Sequence, residues 1–373
     1  MLREQTGSIT APPHLNPQVA AYNYPAWHPS PFMEEIFGKG WTEFDLLRSS
    51  GQLFPGHAMP RHPLWGYFNE ADPEWAAKEI DLAADYGLDT WMIDWYWHDG
   101  AMFYHEQLEE GFLSAPNRDR LKFALMWANH DWKNIFPGTT PGDSPVILAQ
   151  RHGEEDTMRA IEYCIERYFS QPNYWRIDGR LVFGIFSLNP FLEAFSEDGL
   201  KRIFDQVRER VLKAGLGEMH LQLNGGFAGL EERIHEFGID SAVPYHCFPW
   251  TYFGKPGRGR TPYGEGCVGS IKMWRDLREQ CQTPLLPTCP VGWDDSPRYG
   301  GNAHVTVQRT PDQFERLLIA AQRFLAESPP STPKVVYINA WNEWTEDSYL
   351  LPDSTYGYSY LEAVRRAFGR GYR

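Results

Sequence analysis

Eight apolar, β-rich runs punctuate the chain, at 19–24, 90–97, 121–127, 181–187, 219–224, 240–246, 284–290 and 334–341. They are continuous rather than alternating, which predicts strands buried on both faces, as in a parallel sheet. Most are followed by a helix-like stretch: 73–86, 102–112, 154–169, 191–214, 230–237, 270–282, 311–328 and 357–368. Asp72-Pro73-Glu74 and Thr310-Pro311-Asp312 each set a cap residue before a first-turn proline. Gly87 and Gly215 sit where glycines end helices. Alternating strand–helix units predict the α/β class, and eight of them favour a single (β/α)8 TIM barrel over an open doubly wound sheet. No glycine-rich dinucleotide loop follows the first strand. The expected organisation is an N-terminal extension at 1–18 and a catalytic barrel at 19–373. Long loops at 25–71, 129–152 and 248–267 follow strands, so they belong on the C-terminal face, where barrel enzymes build their sites.

Composition narrows the partner. A net charge of −14 argues against nucleic acid or an anionic membrane, which need a basic face, and is neutral toward carbohydrate. Five cysteines, an odd count without CxxC spacing, argue against a disulfide framework or a structural zinc site, and no metal or cofactor is expected. The start carries no apolar signal-peptide core and no run reaches transmembrane length. The expected location is therefore cytoplasmic, or periplasmic or secreted if a signal peptide was removed. Oligomeric state is not specified. Fifteen tryptophans exceed what the core needs, and many fall at strand ends, the pattern of a partly wet ligand cleft.

The polar residues at strand ends supply the chemistry. Tyr24, Trp27 and His28 follow the first strand; Asp94 and Trp97 end the second; Trp127 and Asn129 end the third. Tyr245 and His246 end the sixth, and Trp293, Asp294 and Arg298 follow the seventh. The eighth runs into Trp341, Asn342, Glu343, Trp344 and Glu346. A carboxylate is costly to desolvate unless paired or used. A helix start would account for the two glutamates through the dipole, but not for the indoles and amide around them. Two nearby carboxylates whose pKa values split provide the acid and the base of glycoside cleavage. Asp94 is either a cap or arginine partner, or a ligand for a substrate hydroxyl. His57 and Arg61 lie in a proline-broken segment whose spacing does not suit a metal, so His57 either meets substrate, orients an acid or is a satisfied structural histidine. The 293–298 loop is either an Asx-turn with an Asp–Arg pair or part of a sugar site. Serine-hydrolase, P-loop and zincin motifs are absent. So is a glutamate at the ends of the fourth and seventh strands, where many retaining barrel glycosidases carry theirs.

Several strings together resemble a known group: Tyr24-Pro25-Ala26-Trp27-His28, Gly38-Lys39-Gly40-Trp41-Thr42-Glu43, Gly56-His57, Pro60-Arg61, Trp127-Ala128-Asn129, Asp178-Gly179-Arg180, the 292–298 loop and Trp341-Asn342-Glu343-Trp344-Thr345-Glu346. The last resembles the strand-eight motif of glycoside hydrolase family 99, the endo-α-mannosidase type. The set resembles still more closely the WbsX-type proteins of bacterial polysaccharide loci, often labelled glycosyltransferases. The resemblance implies a (β/α)8 barrel and retaining cleavage of α-linked sugars through a 1,2-anhydro intermediate. It implies that Glu343 acts on the sugar 2-hydroxyl, while Glu346 protonates the departing oxygen and then activates water. Thr345, His130, Asp347 and Leu351 depart from the usual neighbours of the motif. The expected function is hydrolysis of an α-linked polysaccharide or oligosaccharide. The alternatives are a WbsX-type glycosyltransferase, which lacks a visible nucleotide-diphosphate site here, and a non-catalytic carbohydrate-binding barrel.

Overall fold

The computed structural model describes residues 15–252 and 258–370. Most of the expected extension at 1–18, and residues 253–257 of the third long loop, lie outside the described residues. Eight parallel strands follow the chain: β1 (Gln18–Asn23), β2 (Thr90–His98), β3 (Lys122–Trp127), β4 (Arg180–Ile185), β5 (Met219–Leu223), β6 (Ser241–Ala242), β7 (Thr288–Pro290) and β8 (Val335–Asn339). Their order in the sheet is β6-β5-β4-β3-β2-β1-β8-β7, so consecutive strands are neighbours and β8 returns to β1. Ala20, for example, lies between Thr90 and Tyr337.

The result is a mixed α/β fold with a curled parallel sheet. The two ends of its path, β6 and β7, are joined without a ladder. Ala242 donates to Pro284 O and accepts from Leu286 N, both at 2.9 Å, around one parallel bridge to Leu285. The expected strands at 240–246 and 284–290 are thus shorter than their apolar runs. Pro244, Pro284, Pro287 and Pro290 have no N–H to give, so a continuous ladder cannot form there.

Helices cover the sheet where the sequence places most of them: α1 (Pro73–Asp85), α2 (Glu154–Cys164), α3 (Glu197–Lys213), α4 (Tyr263–Gln280), α5 (Pro311–Ala326) and α6 (Ser359–Ala367). Asp72, Ser196 and Thr310 cap α1, α3 and α5 through side-chain oxygens that accept backbone N–H bonds. The Ser196 cap also splits the expected helix at 191–214 in two. The expected helix at 102–112 begins instead as a strand, Ala101–Phe103, antiparallel to β2, followed by a π-turn at Gln107–Phe112. That at 230–237 keeps only a 3-10 turn, Ile234–Phe237. Among the described residues no helix is long and apolar enough to cross a membrane, and no cluster of three or more His, Cys, Asp or Glu is placed to hold a metal ion.

Candidate active site

Strand β8 does not lead into a helix. Asn342–Glu343 pairs antiparallel with Ser348–Tyr349, and a single 3-10 turn, Trp344–Glu346, connects them. No helix dipole is therefore available to hold the two glutamates. What holds them is Arg298. Its Nη1 bonds Glu346 Oε1, its Nη2 lies 3.4 Å from Glu343 Oε2, and its Nε and Nη2 donate to Glu43 Oε1 at 3.0 and 2.7 Å. The Tyr24 hydroxyl donates to Glu43 Oε2 at 2.7 Å, and the Thr345 hydroxyl bonds Glu43 Oε1. The loop bearing Arg298 is shaped by an Asx-turn, in which Asp294 Oδ1 accepts from Ser296 N at 2.9 Å. The expected turn exists, but its arginine pairs with glutamates of two other segments rather than with an aspartate.

One guanidinium faces too many acids for all of them to be ionised. Asp94, Glu43, Glu343 and Glu346 are brought together by Arg298 and by Tyr245, whose hydroxyl is 3.3 Å from both Asp94 Oδ2 and Glu343 Oε1. A phenol has one proton to donate, so two ionised acids would leave one carboxylate facing a lone pair. Burial drives Glu343 well above the usual carboxylate range, and the charge of Glu346 adds to it. Burial likewise raises Asp94, against the Tyr245 hydrogen bond. Glu346 is raised by burial but opposed by Arg298, which bonds it directly. Burial thus favours the protonated forms of these acids, and the Arg298 cation opposes it at both glutamates.

A second layer fixes the strand end. Asn342 Oδ1 accepts from Tyr24 N and its Nδ2 donates to Tyr24 O, both at 2.8 Å, clipping β8 to β1; Nδ2 also reaches Glu70 Oε1 at 2.7 Å. Trp341 Nε1 donates to Glu79 at 2.9 Å. Behind the turn, Asp347 takes a two-point bond from Arg61 (2.7 and 3.1 Å) and another from Arg309 (2.8 Å). Gly292 lies against this turn: a Cβ there would stand 2.4 Å from Asp347 O. His57 accepts Leu53 N at Nδ1, so its Nε2 carries the proton donated to Asp294 Oδ2 at 2.6 Å. Asp294 N in turn donates to Glu346 O at 2.7 Å. His57 and Arg61 are thus positioning residues.

Two adjoining cavities of about 280 and 250 Å³ open onto Glu346 but not onto Glu343, both lined by Glu346, Trp293 and Thr251. Tyr245 and His246 line the first, Asp295 and Arg298 the second. Burial raises Asp295 to about 7, and burial lowers His246 to about 3, so the latter is a neutral hydrogen-bonding ring. Glu343 lies one layer deeper, its side chain 5% exposed against 13% for Glu346.

Of the tryptophans expected to wall the cleft, Trp293 does so. Trp97 turns its Nε1 to Asp156, and Trp127 packs on Trp95 and Phe191. Trp27 packs on Phe44, Trp341 on Trp91 and Trp344 on Tyr349, all three fully buried. Asn129 clips Ser187 through both amide atoms (2.8 and 2.9 Å), and His28 meets Glu106 at 3.2 Å. These side chains are spent on protein contacts, because strand ends must satisfy their own backbone and indoles fill the space between strands and loops. Sequence reasoning missed Glu43 as a site residue, along with the supporting Glu70, Glu79 and Asp347. Glu43 had a signal in the Trp41-Thr42-Glu43 string; Glu70 and Glu79 had none.

Comparisons with known proteins bear on the fold and the family. A structure described as a glycoside hydrolase-like protein matches with a TM-score of 0.61 at 14% identity, over 98% of this chain and 99% of the other. The glycoside hydrolase family 99 endo-α-mannosidase of Bacteroides thetaiotaomicron matches with a TM-score of 0.58 at 13% identity, over 95% and 97%. At such identities the likeness is one of fold. In sequence, a protein named WxcX from Xanthomonas campestris pv. campestris is 29% identical over 370 residues, covering 97% of this chain and 51% of that protein. The chain thus spans about half the length of the curated relatives it matches. The model of the family described as "Glycosyltransferase WbsX" matches residues 19–364. The chain belongs to the WbsX family.

Proposed function

We propose that this chain is a glycoside hydrolase that cleaves α-linked sugars with retention, and that residues 19–373 form one closed (β/α)8 catalytic barrel. The observation that carries the reading is Arg298 gathering Glu343 and Glu346 at a cleft floor, with Glu346 facing the cavities. The β6–β7 bridge at Ala242 supports closure.

The roles follow the resemblance. Glu343 takes the proton of the sugar 2-hydroxyl as that oxygen attacks C1. The C1–leaving-oxygen bond breaks, and Glu346 gives its proton to the departing oxygen. In the second half Glu346 removes a proton from water, whose oxygen attacks C1; the C1–O2 bond opens and O2 recovers its proton from Glu343. Two inversions give net retention. Burial raises both acids and Arg298 opposes it at both. The first step needs the proton on Glu346, and a 2-hydroxyl donating to Glu343 favours that placement by stabilising the Glu343 anion. Exposure supports the assignment: the outer acid reaches the leaving oxygen and water, the inner one the ring hydroxyl.

The test is digestion of bacterial and plant polysaccharides by wild type, Glu343→Gln and Glu346→Gln. Each variant should lose about 10²–10⁴-fold in rate while keeping its fold. Full activity in both on any glycan the wild type cleaves would end the assignment. The family description favours a second reading, a glycosyltransferase. Product formation that requires a sugar nucleotide, without hydrolysis of oligosaccharides, would establish it.

A further inference from the structure

A roomier cavity lies beside the two that Glu346 lines. A side chamber of about 790 Å³ abuts the two smaller cavities, sharing Phe186 with one and Ile135, Gly142 and Tyr299 with the other. It is built on the 129–152 loop, whose short hairpin pairs Trp132–Lys133 with Val146–Leu148. Its polar lining differs in kind from the catalytic floor. Lys133 and Arg151 stand exposed at it, with no carboxylate within ion-pair distance among the described residues. The Gln150 amide also lines it, with neither of its polar atoms partnered although both are buried.

The other charged or titratable groups are Asp131, Glu193, His130, His152 and Tyr299. Asp131 Oδ1 accepts from Gln150 N at 2.8 Å, and Glu193 is exposed at the wall, as Lys133 and Arg151 are. Burial lowers both histidines, His152 to about 4, so near neutrality they add hydrogen-bonding rings and no charge. Two cations without an acidic partner on one chamber wall offer a carboxylate charge-assisted bonds from Lys and Arg, with an unpartnered buried amide behind them. The acid-rich catalytic cavities would repel the same ligand.

We propose that this chamber is a subsite for a sugar carrying a carboxylate, bound by Lys133, Arg151 and Gln150 next to the residue whose linkage is cut. This rests on the carbohydrate reading above. The carboxylate can belong to a uronic acid or to a pyruvate ketal on a neutral sugar; the chamber recognises what they share. The substrate is then an acidic heteropolysaccharide, with its neutral residue over Glu346 and its acidic residue in the chamber.

The test is equilibrium binding to the full chain, as wild type and as Lys133→Ala/Arg151→Ala. The probes are oligogalacturonides, oligoglucuronides and pyruvylated oligosaccharides, each beside its carboxyl-reduced counterpart. At least one acidic probe should bind about tenfold more tightly than its reduced form, and the double variant should lose that preference. The preference should also shrink as salt is raised. Which probe is preferred distinguishes the uronic acid from the ketal. No acidic probe outbinding its reduced form, or a preference that survives in the double variant, overturns the proposal. Binding preference without hydrolysis of any glycan would remove the hydrolase reading and leave the subsite standing; hydrolysis without preference would do the reverse.

Discussion

Glu70 and Glu79 form a buried acid pair directly behind the end of β8, and their charge should make the protein lose stability as pH rises. Both are about 2% exposed. Burial raises Glu79 from 4.5 to about 7, and burial together with the Glu79 charge drives Glu70 well above its ordinary range. A carboxyl group raised on folding holds its proton in the native state and loses it in the unfolded chain. Its stabilisation is complete below the unfolded pKa and lost as pH climbs through the folded one. For Glu79 the window is from 4.5 to about 7, worth about 3 kcal/mol at 1.36 kcal/mol per unit. A single group can contribute at most that slope, so Glu70 can remove up to about 4 kcal/mol between pH ~5 and ~8. Glu70→Gln isolates its share. The amide oxygen can still accept from Asn342 Nδ2, as Glu70 Oε1 does at 2.7 Å, and the new NH₂ replaces an oxygen that has no partner. Urea unfolding followed by tryptophan fluorescence across that pH range should show the variant gaining on wild type as pH rises, by more than about 1 and up to about 4 kcal/mol. A difference that stays flat with pH would refute the reasoning, because any effect of shape or hydrogen bonding alone is independent of pH.

Four further substitutions have definite expected outcomes. Arg298→Gln leaves Glu43, Glu343 and Glu346 without their cation, so unfolding measurements should show a loss of about 3–5 kcal/mol; because Arg298 lowers Glu343 and Glu346, the ascending limb of a pH–rate profile that depends on them should move to higher pH. Tyr245→Phe removes the hydroxyl that lowers Asp94, and carbon NMR of labelled aspartate should find Asp94 protonated to still higher pH. Asn342→Ala opens the β1–β8 clip and strands the buried Tyr24 amide, at a cost of about 2–4 kcal/mol in chemical denaturation, whereas Trp293→Ala should leave stability nearly intact and weaken glycan binding.

Particular residues show where sequence reading reaches and where it stops. Glu343 and Glu346 were legible as candidates because two acids at the end of an apolar strand have no packing reason to be there. Trp293, Tyr245 and Arg298 were legible from their place after strands. Trp27, Trp127 and Trp344 carried the same sequence signal yet lie in the interior, since an indole serves a core as readily as a cleft. Asn129 and Asn342 likewise turned out to clip neighbouring strand ends, a task that depends on which backbone atoms arrive beside them.

By itself the sequence determined the eight apolar runs, the capped helices between them and the acids after the last strand. Those are consequences of local periodicity and chemistry, written within a few residues of one another. Only the tertiary structure decided which charge balances which. Arg298 meets Glu43 across 255 positions, and Asn342 meets Glu70 across 272. The protonation of the acid pair follows from those meetings, because a buried carboxyl group titrates according to the charges and hydrogen-bond donors folded around it.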